Sequence, residues 1–317
     1  MEKFSQFRDR GSGIAPFLPM PSQPVGFQLP LRVFLFCFRL PLFVFACACY
    51  FLILQWLPIG ALGKKASLWC ILGIPSIWWI DLQVDGVRKG SLSKYHHQAR
   101  LPGPNSIIAS SFTSPIDPLY LAAIFDPIFT ASYPSTRQVA PLSLLQAILR
   151  CFAPPQLHPP QDTPLYDLAA LARKYPGRPI VAFAECTTTN GRAILPLSPA
   201  LLGASPAAKI FPVSLRYTPV DVVTPVPASY VSFLWTLLSA PTHCIRVRIA
   251  EPVAGAGAGA GSADRDGDGA ELTASEQALL DTVGDSLARL GRVKRVGLGV
   301  REKLDFVRMW TRTRRTW

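Results

Sequence analysis

The stretch Leu40–Ile59 constrains this chain more than any other: 20 residues carry no charge and only Gln55 as a strongly polar side chain. At about 1.5 Å rise per residue, a helix of this length matches the ~30 Å hydrocarbon core of a bilayer. Tyr50 and Trp56 are residue types that favour the membrane–water interface. A second apolar run, Ala66–Ile80, follows after G-A-L-G-K-K, but it is shorter and Pro75 interrupts it. Together the runs predict a membrane hairpin over 31–80, with arms at 31–59 and 66–80. Arg32 and Arg39 before it and Arg88 and Lys89 after it predict that both ends face the cytosol. Lys64 and Lys65 at the tip favour a shallow or re-entrant course. Residues 1–30 form a Pro/Gly-rich segment in which Pro16, Pro19, Pro21, Pro24 and Pro30 argue against helix. This prelude is too long before the apolar run for a secretory signal, so no cleavage is expected.

From Asp81 the pattern changes to a globular one. Strands are predicted at Leu82–Val87, Ser106–Ser110, Phe129–Tyr133, Pro179–Phe183, Ile210–Tyr217 and Cys244–Ala250. Helices are predicted at Pro118–Phe125, Leu142–Phe152, Leu165–Tyr175 and Ser229–Leu238, with the proline-rich stretch Ala153–Pro164 as an irregular loop. Alternation of this kind predicts an α/β domain over 81–252, its mostly parallel sheet covered by helices on both faces.

Residues 253–272 read as a low-complexity linker. Its Asp264, Asp266, Asp268 and Gly269 imitate the opening of a calcium loop, but the acid expected at the last liganding position falls on Ser275, so no metal is predicted. Residues 273–317 begin with a capping box, Thr273 and Glu276, opening a helix over Thr273–Leu290. From Arg289 to Trp317 there are ten Lys/Arg against Glu302 and Asp305. Val300, Leu304, Val307 and Trp310 lie on one face of this tail, which predicts an amphipathic segment at an anionic membrane surface rather than a nucleic-acid contact. The seven cysteines make no C-x-x-C pair and do not combine with the four histidines at zinc spacings. A reducing, cytosol-facing setting follows.

Two blocks carry chemistry. One is S-S-F-T-S-P-I-D, Ser110–Asp117. The other is V-A-F-A-E-C-T-T-T-N-G, Val181–Gly191, in which a β-type run delivers Glu185 into a turn rich in hydroxyls and exposed N–H groups, a geometry suited to phosphate oxygens. With the strand I-F-P-V-S-L-R-Y behind them and an apolar hairpin ahead, these blocks resemble the glycerophospholipid acyltransferase superfamily. The N-terminus M-E-K-F-S-Q-F-R-D-R-G-S-G resembles more specifically its fungal lysophosphatidic acid:oleoyl-CoA acyltransferase branch. The resemblance spans residues 1–252 and the basic tail.

The resemblance implies acyl transfer from acyl-CoA, a co-substrate rather than a bound cofactor, to the sn-2 hydroxyl of lysophosphatidic acid. It further implies an endoplasmic reticulum membrane or lipid-droplet location. The superfamily motif N-H-x-S-x-x-D supplies a histidine base and its orienting aspartate. Here Ser114 and Asp117 match as catalytic candidates, while Ser111 and Phe112 stand where asparagine and histidine belong; the fungal branch also tends to lack that histidine while keeping T-S-P-[LI]-D. The motif F-P-E-G-T is matched with Ala184 for proline and Cys186 for glycine. Glu185, Thr187, Thr188, Asn190 and Gly191 are the implied acceptor-binding residues. Arg137 or Arg150 is the implied phosphate contact. The rival readings are an acyltransferase for another lysophospholipid, a lipid-binding homologue without turnover, and a basic membrane-surface adaptor. The last explains none of the central blocks.

Overall fold

The computed structural model describes residues 2–21, 26–58, 60–87, 100–255 and 272–315. Its helices are α1 (Leu29–Ala48), α2 (Gly60–Gly73), α3 (Ile116–Phe125), α4 (Leu144–Arg150), α5 (Leu168–Lys174), α6 (Tyr230–Ser239), α7 (Ala274–Gly291) and α8 (Val300–Arg315). The strands are β1 (Ile77–Val84), β2 (Ile107–Ser110), β3 (Ile128–Ala131), β4 (Ala140–Leu142) and β5 (Ile180–Ala182). They continue as β6 (Ala193–Ile194), β7 (Lys209–Thr218), β8 (His243–Ile249), β9 (Val253–Ala254) and β10 (Lys294–Arg295).

The main sheet runs β1-β8-β7-β2-β5-β3-β4, with β9 on β7. Its centre, β7-β2-β5-β3, is wholly parallel, and β1 is parallel to β8; antiparallel pairs occur at β7–β8, β3–β4 and β7–β9. This is the mostly parallel, helix-covered α/β fold expected from the sequence. Strand alternation sorts the central residues onto two faces. Ile108, Val181 and Phe211 join the core under α2, α3 and α6, while Ile107, Ala109, Ile180, Ala182 and Ile210 join the core under α5 and α7. Central strands buried on both faces are why these segments read as unbroken apolar runs.

Among the described residues, one helix is long and apolar enough to cross a membrane: α1 with its π-helical continuation, Gly26–Leu54. Pro30 sits in its first turn, where proline is tolerated, so the proline argument against helix holds only for the residues before it. Phe36, Leu40, Phe43 and Cys47 form the stripe that packs on the domain. Phe34, Phe38 and Phe45 point outward and are exposed. Midway along, Arg39 donates to the Ala240 carbonyl (2.6 Å) and the Ser76 hydroxyl (2.6 Å), closing the C-terminal end of α6.

The expected second arm at 66–80 is corrected. The chain turns from helix to strand around Pro75: α2 ends at Gly73, and β1 takes Ile77–Val84 into the sheet. Leu68, Ile71 and Leu72 are buried in the domain core. Much of the apolarity of this run therefore serves the protein interior, while Ala66, Cys70, Trp78 and Trp79 are exposed. Lys64 and Lys65 lie within α2, and Lys65 donates to the Ile124 carbonyl at 2.7 Å. The strand expected at Leu82–Val87 begins five residues earlier for the same reason.

The tail is corrected in its contacts. The capping box of Thr273 and Glu276 forms as predicted and α7 follows. Of the predicted face, Val300, Val307 and Trp310 do pack inward, but they surround Lys303 and Phe306, which are both fully buried. Phe306 meets Phe4, Phe7, Phe17 and Trp310 at ring separations of 5.3–6.0 Å. The chain's two ends thus hold each other, and the short 3-10 turn Glu2–Phe7 orders a segment expected to be irregular. The calcium-like aspartates at 264–268 lie outside the described residues.

Candidate active site

The carboxyl ends of β2 and β5 deliver the two motif blocks to one edge of the sheet, where open α/β sheets place ligands. Asp117, in the first turn of α3, is fully buried. Its Oδ2 accepts from the Thr113 amide (2.7 Å), the Ser114 amide (2.9 Å) and the Thr113 hydroxyl (3.2 Å). Its Oδ1 accepts from the Tyr217 hydroxyl of β7. Burial pushes the carboxyl up to about 6, and the bonds from Tyr217, Thr113 and Ser114 limit the rise. Ser114 is committed elsewhere: its hydroxyl donates to the Val222 carbonyl (2.7 Å) and accepts from the Ile116 amide (3.3 Å).

The second block lies against the first. The Thr189 amide donates to the Phe112 carbonyl at 3.0 Å. Glu185 is 1% exposed; its Oε2 accepts from the Leu195 amide (3.2 Å), and its Oε1 has no partner. Burial raises this carboxyl to about 8, against the bond from the Leu195 amide and the influence of the nearby Phe112 amide. Cys186 adopts φ 60°, a left-handed conformation that a glycine would take without strain. Its thiol is pushed up to about 12 by burial, which favours the protonated form over the nucleophilic thiolate.

Thr187 is buried in the same turn. The Thr188 hydroxyl donates to the Thr224 carbonyl at 2.7 Å. Asn190 donates through Nδ2 to the Ala15 (2.8 Å) and Leu18 (2.9 Å) carbonyls, and its amide donates to Pro16. The turn therefore grips the N-terminal segment as well as facing a cavity. Gly191 follows at φ 71°, left-handed, where glycine is unstrained.

Two side chains at this edge of the sheet leave no signal in the spacing of the sequence. Lys303 arrives from α8, with Nζ donating to the Thr188 carbonyl and, at 2.9 Å, to the Thr188 hydroxyl. Burial depresses its ammonium to about 7. Tyr217, although inside a recognised strand, carried no sign of a polar role. Arg137 is not at this site: it pairs with Glu276 at 2.6 Å. Arg150 lies over the Tyr133 ring, donates to Gln156, and is near enough for its charge to act on the Cys186 thiol.

Two cavities flank the Thr113–Asp117 segment. On one side, about 260 Å³ of apolar space is bounded by Phe43 and Phe51 of the apolar helix, by Pro115 and Ile116, and by Phe233 and Leu237 of α6. On the other, a polar cavity of about 260 Å³ is bounded by Thr113, Asn190, Arg192, Arg216 and Tyr217. Neither cavity reaches Phe112, whose ring stacks on Phe183 at 4.3 Å in the core. Phe112→His puts a polar ring into that stack. It is expected to lower stability by about 1–3 kcal/mol without raising turnover, as checked by thermal unfolding alongside an acyl-transfer assay.

A Schizosaccharomyces pombe protein named "Putative lysophosphatidic acid:oleoyl-CoA acyltransferase" is 30% identical over 313 residues, covering 97% of both chains. This chain belongs to the lysophosphatidic acid:oleoyl-CoA acyltransferase family. It is an acyltransferase. "Lysophosphatidic acid:oleoyl-CoA acyltransferase 1" of Saccharomyces cerevisiae is 28% identical over 199 residues, 62% of this chain and 61% of that protein. No family model and no solved structure matches the chain. The match to the fission-yeast family member covers nearly all of both sequences, a span that takes in the apolar N-terminal helix and the basic tail.

Proposed function

We propose that this acyltransferase moves the acyl chain of an acyl-CoA to the sn-2 hydroxyl of lysophosphatidic acid, giving phosphatidic acid. In this reading it works at an endoplasmic reticulum membrane or lipid-droplet surface, with its α/β domain on the cytosolic side. The observation that carries the proposal is the pair of cavities, apolar and polar, on either side of Thr113–Asp117. An acyl chain buried in the apolar one gains about 0.8 kcal/mol per methylene, and its wall includes the helix that suits lipid. A polar acceptor fits the other. The names of the two relatives support the substrates, and seven unpaired cysteines suit a reducing compartment.

Asp117 takes the place of general base. Tyr217 borders the polar cavity and already donates to Asp117. As the acceptor oxygen attacks the thioester carbonyl, its proton passes to Tyr217 Oη while the Tyr217 proton passes to Asp117 Oδ1. The C–O bond forms, the C–S bond breaks, and the departing CoA thiolate takes the proton back along the same path. Glu185, Thr187, Thr188, Asn190 and Gly191 shape the acceptor side, and Ser114 positions the loop through Val222.

The test is a panel assay: purified full-length protein in detergent, labelled oleoyl-CoA, and lysophospholipids that differ in head group. Product is expected with lysophosphatidic acid and a position analysis is expected to find the new ester at sn-2. Preference for another lysophospholipid, or product esterified elsewhere, overturns the assignment.

A further inference from the structure

The N-terminal segment ahead of the apolar helix has carbonyls that it cannot satisfy by itself. Pro16, Pro19 and Pro21 remove N–H donors and disrupt helix and sheet pairing, so the carbonyls around them need donors from elsewhere in the chain. Asn190 supplies them. Its amide donates to the Pro16 carbonyl at 2.9 Å, and Nδ2 donates to the carbonyls of Ala15 (2.8 Å) and Leu18 (2.9 Å). Its Oδ1 accepts from the Arg192 amide at 3.1 Å. Both Nδ2 protons are therefore spent on the protein itself, and none is left to donate to a substrate.

The C-terminal helix holds the same segment. The Phe17 side chain, fully buried, meets Phe306 of α8 at a ring separation of 6.0 Å. Asp9 Oδ1 accepts from the Gly297 amide at 3.3 Å, just ahead of α8. Lys303, three residues before Phe306, donates to Thr188, two residues before Asn190. The T-T-T-N-G turn is thus tied to the sheet domain by the Thr189 amide on Phe112 and the Thr188 hydroxyl on Thr224, and to the two chain ends by Asn190 and Lys303. Phe17 and Phe306 belong to an apolar cluster separate from the two that flank the sheet, so this junction can loosen without opening the main core. Met20, half-buried and three residues beyond Phe17, borders the polar cavity beside Thr113, Asn190 and Tyr217.

We propose that residues 14–20 form a wall of the acceptor site, with Asn190 as the positioning residue that holds the wall and Met20 as the residue that limits the size of the acceptor head group. α8 keeps the wall seated through Phe17. The inference rests on the reading that the polar cavity takes the acceptor, and it gives Asn190 the work of placing protein rather than of touching substrate.

The test uses full-length protein in detergent carrying Phe17→Ala, Phe306→Ala or both, with Phe17→Leu as the conservative rescue. Neither ring is among the residues that line the polar cavity. Each alanine is nevertheless expected to raise KM for lysophosphatidic acid about tenfold while KM for oleoyl-CoA stays unchanged, as when binding is lost on one side of the site only. The double variant should do no more than either single one, because both act through one contact. Met20→Ala, at a half-buried position, keeps the test open if the phenylalanine variants do not fold. It is expected to lower the preference for lysophosphatidic acid over lysophosphatidylcholine, whose head group is larger, about tenfold. Hydrogen exchange reads the wall without turnover: in Phe17→Ala the Asn190 amide, bonded to Pro16, should exchange faster while the Thr189 amide, bonded to Phe112, stays protected. Equal acceleration at both amides, an unchanged KM for lysophosphatidic acid in the alanine variants, or an unaltered head-group preference in Met20→Ala overturns the wall. Selective exchange at Asn190 in a protein that acylates no lysophospholipid leaves the wall standing and removes the acceptor reading instead.

Discussion

Asp117→Ala is expected to lower acyl transfer by at least about a hundredfold, in line with removal of a general base, and to destabilise the protein by about 2–4 kcal/mol, as for buried donors left without their acceptor. Both effects have one origin. The carboxylate collects the Thr113 and Ser114 amides, the Thr113 hydroxyl and the Tyr217 hydroxyl, all in the interior, and alanine leaves them without an acceptor. Asp117→Asn separates the two effects, because the amide keeps the size and one acceptor oxygen while losing the basicity. It should fold with a smaller loss and remain inactive.

The pH dependence carries a sign. The folded carboxyl sits near 6, above its ordinary 3.8, so the folded state binds more protons between those values. Its stabilising contribution is complete below pH about 4 and is lost as pH rises through about 6. Turnover moves the opposite way, rising through about pH 6 as the basic form appears. A variant at Asp117 that kept wild-type turnover with the same pH profile would remove this residue from the proton path.

Lys303→Ala is expected to destabilise by about 2–4 kcal/mol, since it empties buried volume and unpairs the Thr188 carbonyl, and to reduce acyl transfer with it. Nothing else in α8 reaches Thr188 by a hydrogen bond among the described residues, so this one side chain couples the C-terminal helix to the site. Lys303→Met retains the apolar stem and relieves the ammonium of its burial, so it should recover most of the stability. The folded ammonium is depressed to about 7 from 10.5. Its contribution is therefore complete above pH about 10.5 and is lost as pH falls through about 7. Chemical unfolding of wild type and Lys303→Met should diverge over that window, the methionine variant gaining relative stability as pH falls. Parallel curves would mean that the ammonium is not buried.

The difference in legibility between Asp117 and Lys303 is instructive. Asp117 was legible because its partners Thr113 and Ser114 lie four and three residues away, within one local turn that a motif can carry. Lys303 reaches Thr188 across 115 positions, and in sequence it is one of ten cations in a basic tail. Its burial reflects the lock of Phe306 onto Phe4, Phe7 and Phe17, which no periodicity within the tail encodes. The apolar run 66–80 is a similar case. Its composition said that it would be buried, while the medium was chosen by α3 and the neighbouring strand β8, which give β1 a place in the sheet.

By itself the sequence determined the features that rest on local chemistry. These are the apolar helix, the α/β alternation of the central domain, the capping box of α7, and the two motif blocks that identify an acyltransferase. Tertiary structure alone decided which groups meet across the chain: Tyr217 with Asp117, Lys303 with Thr188, and Asn190 with the N-terminal segment. Each of those pairings joins residues that are far apart in sequence, and such proximity exists only once the sheet and the two chain ends have packed.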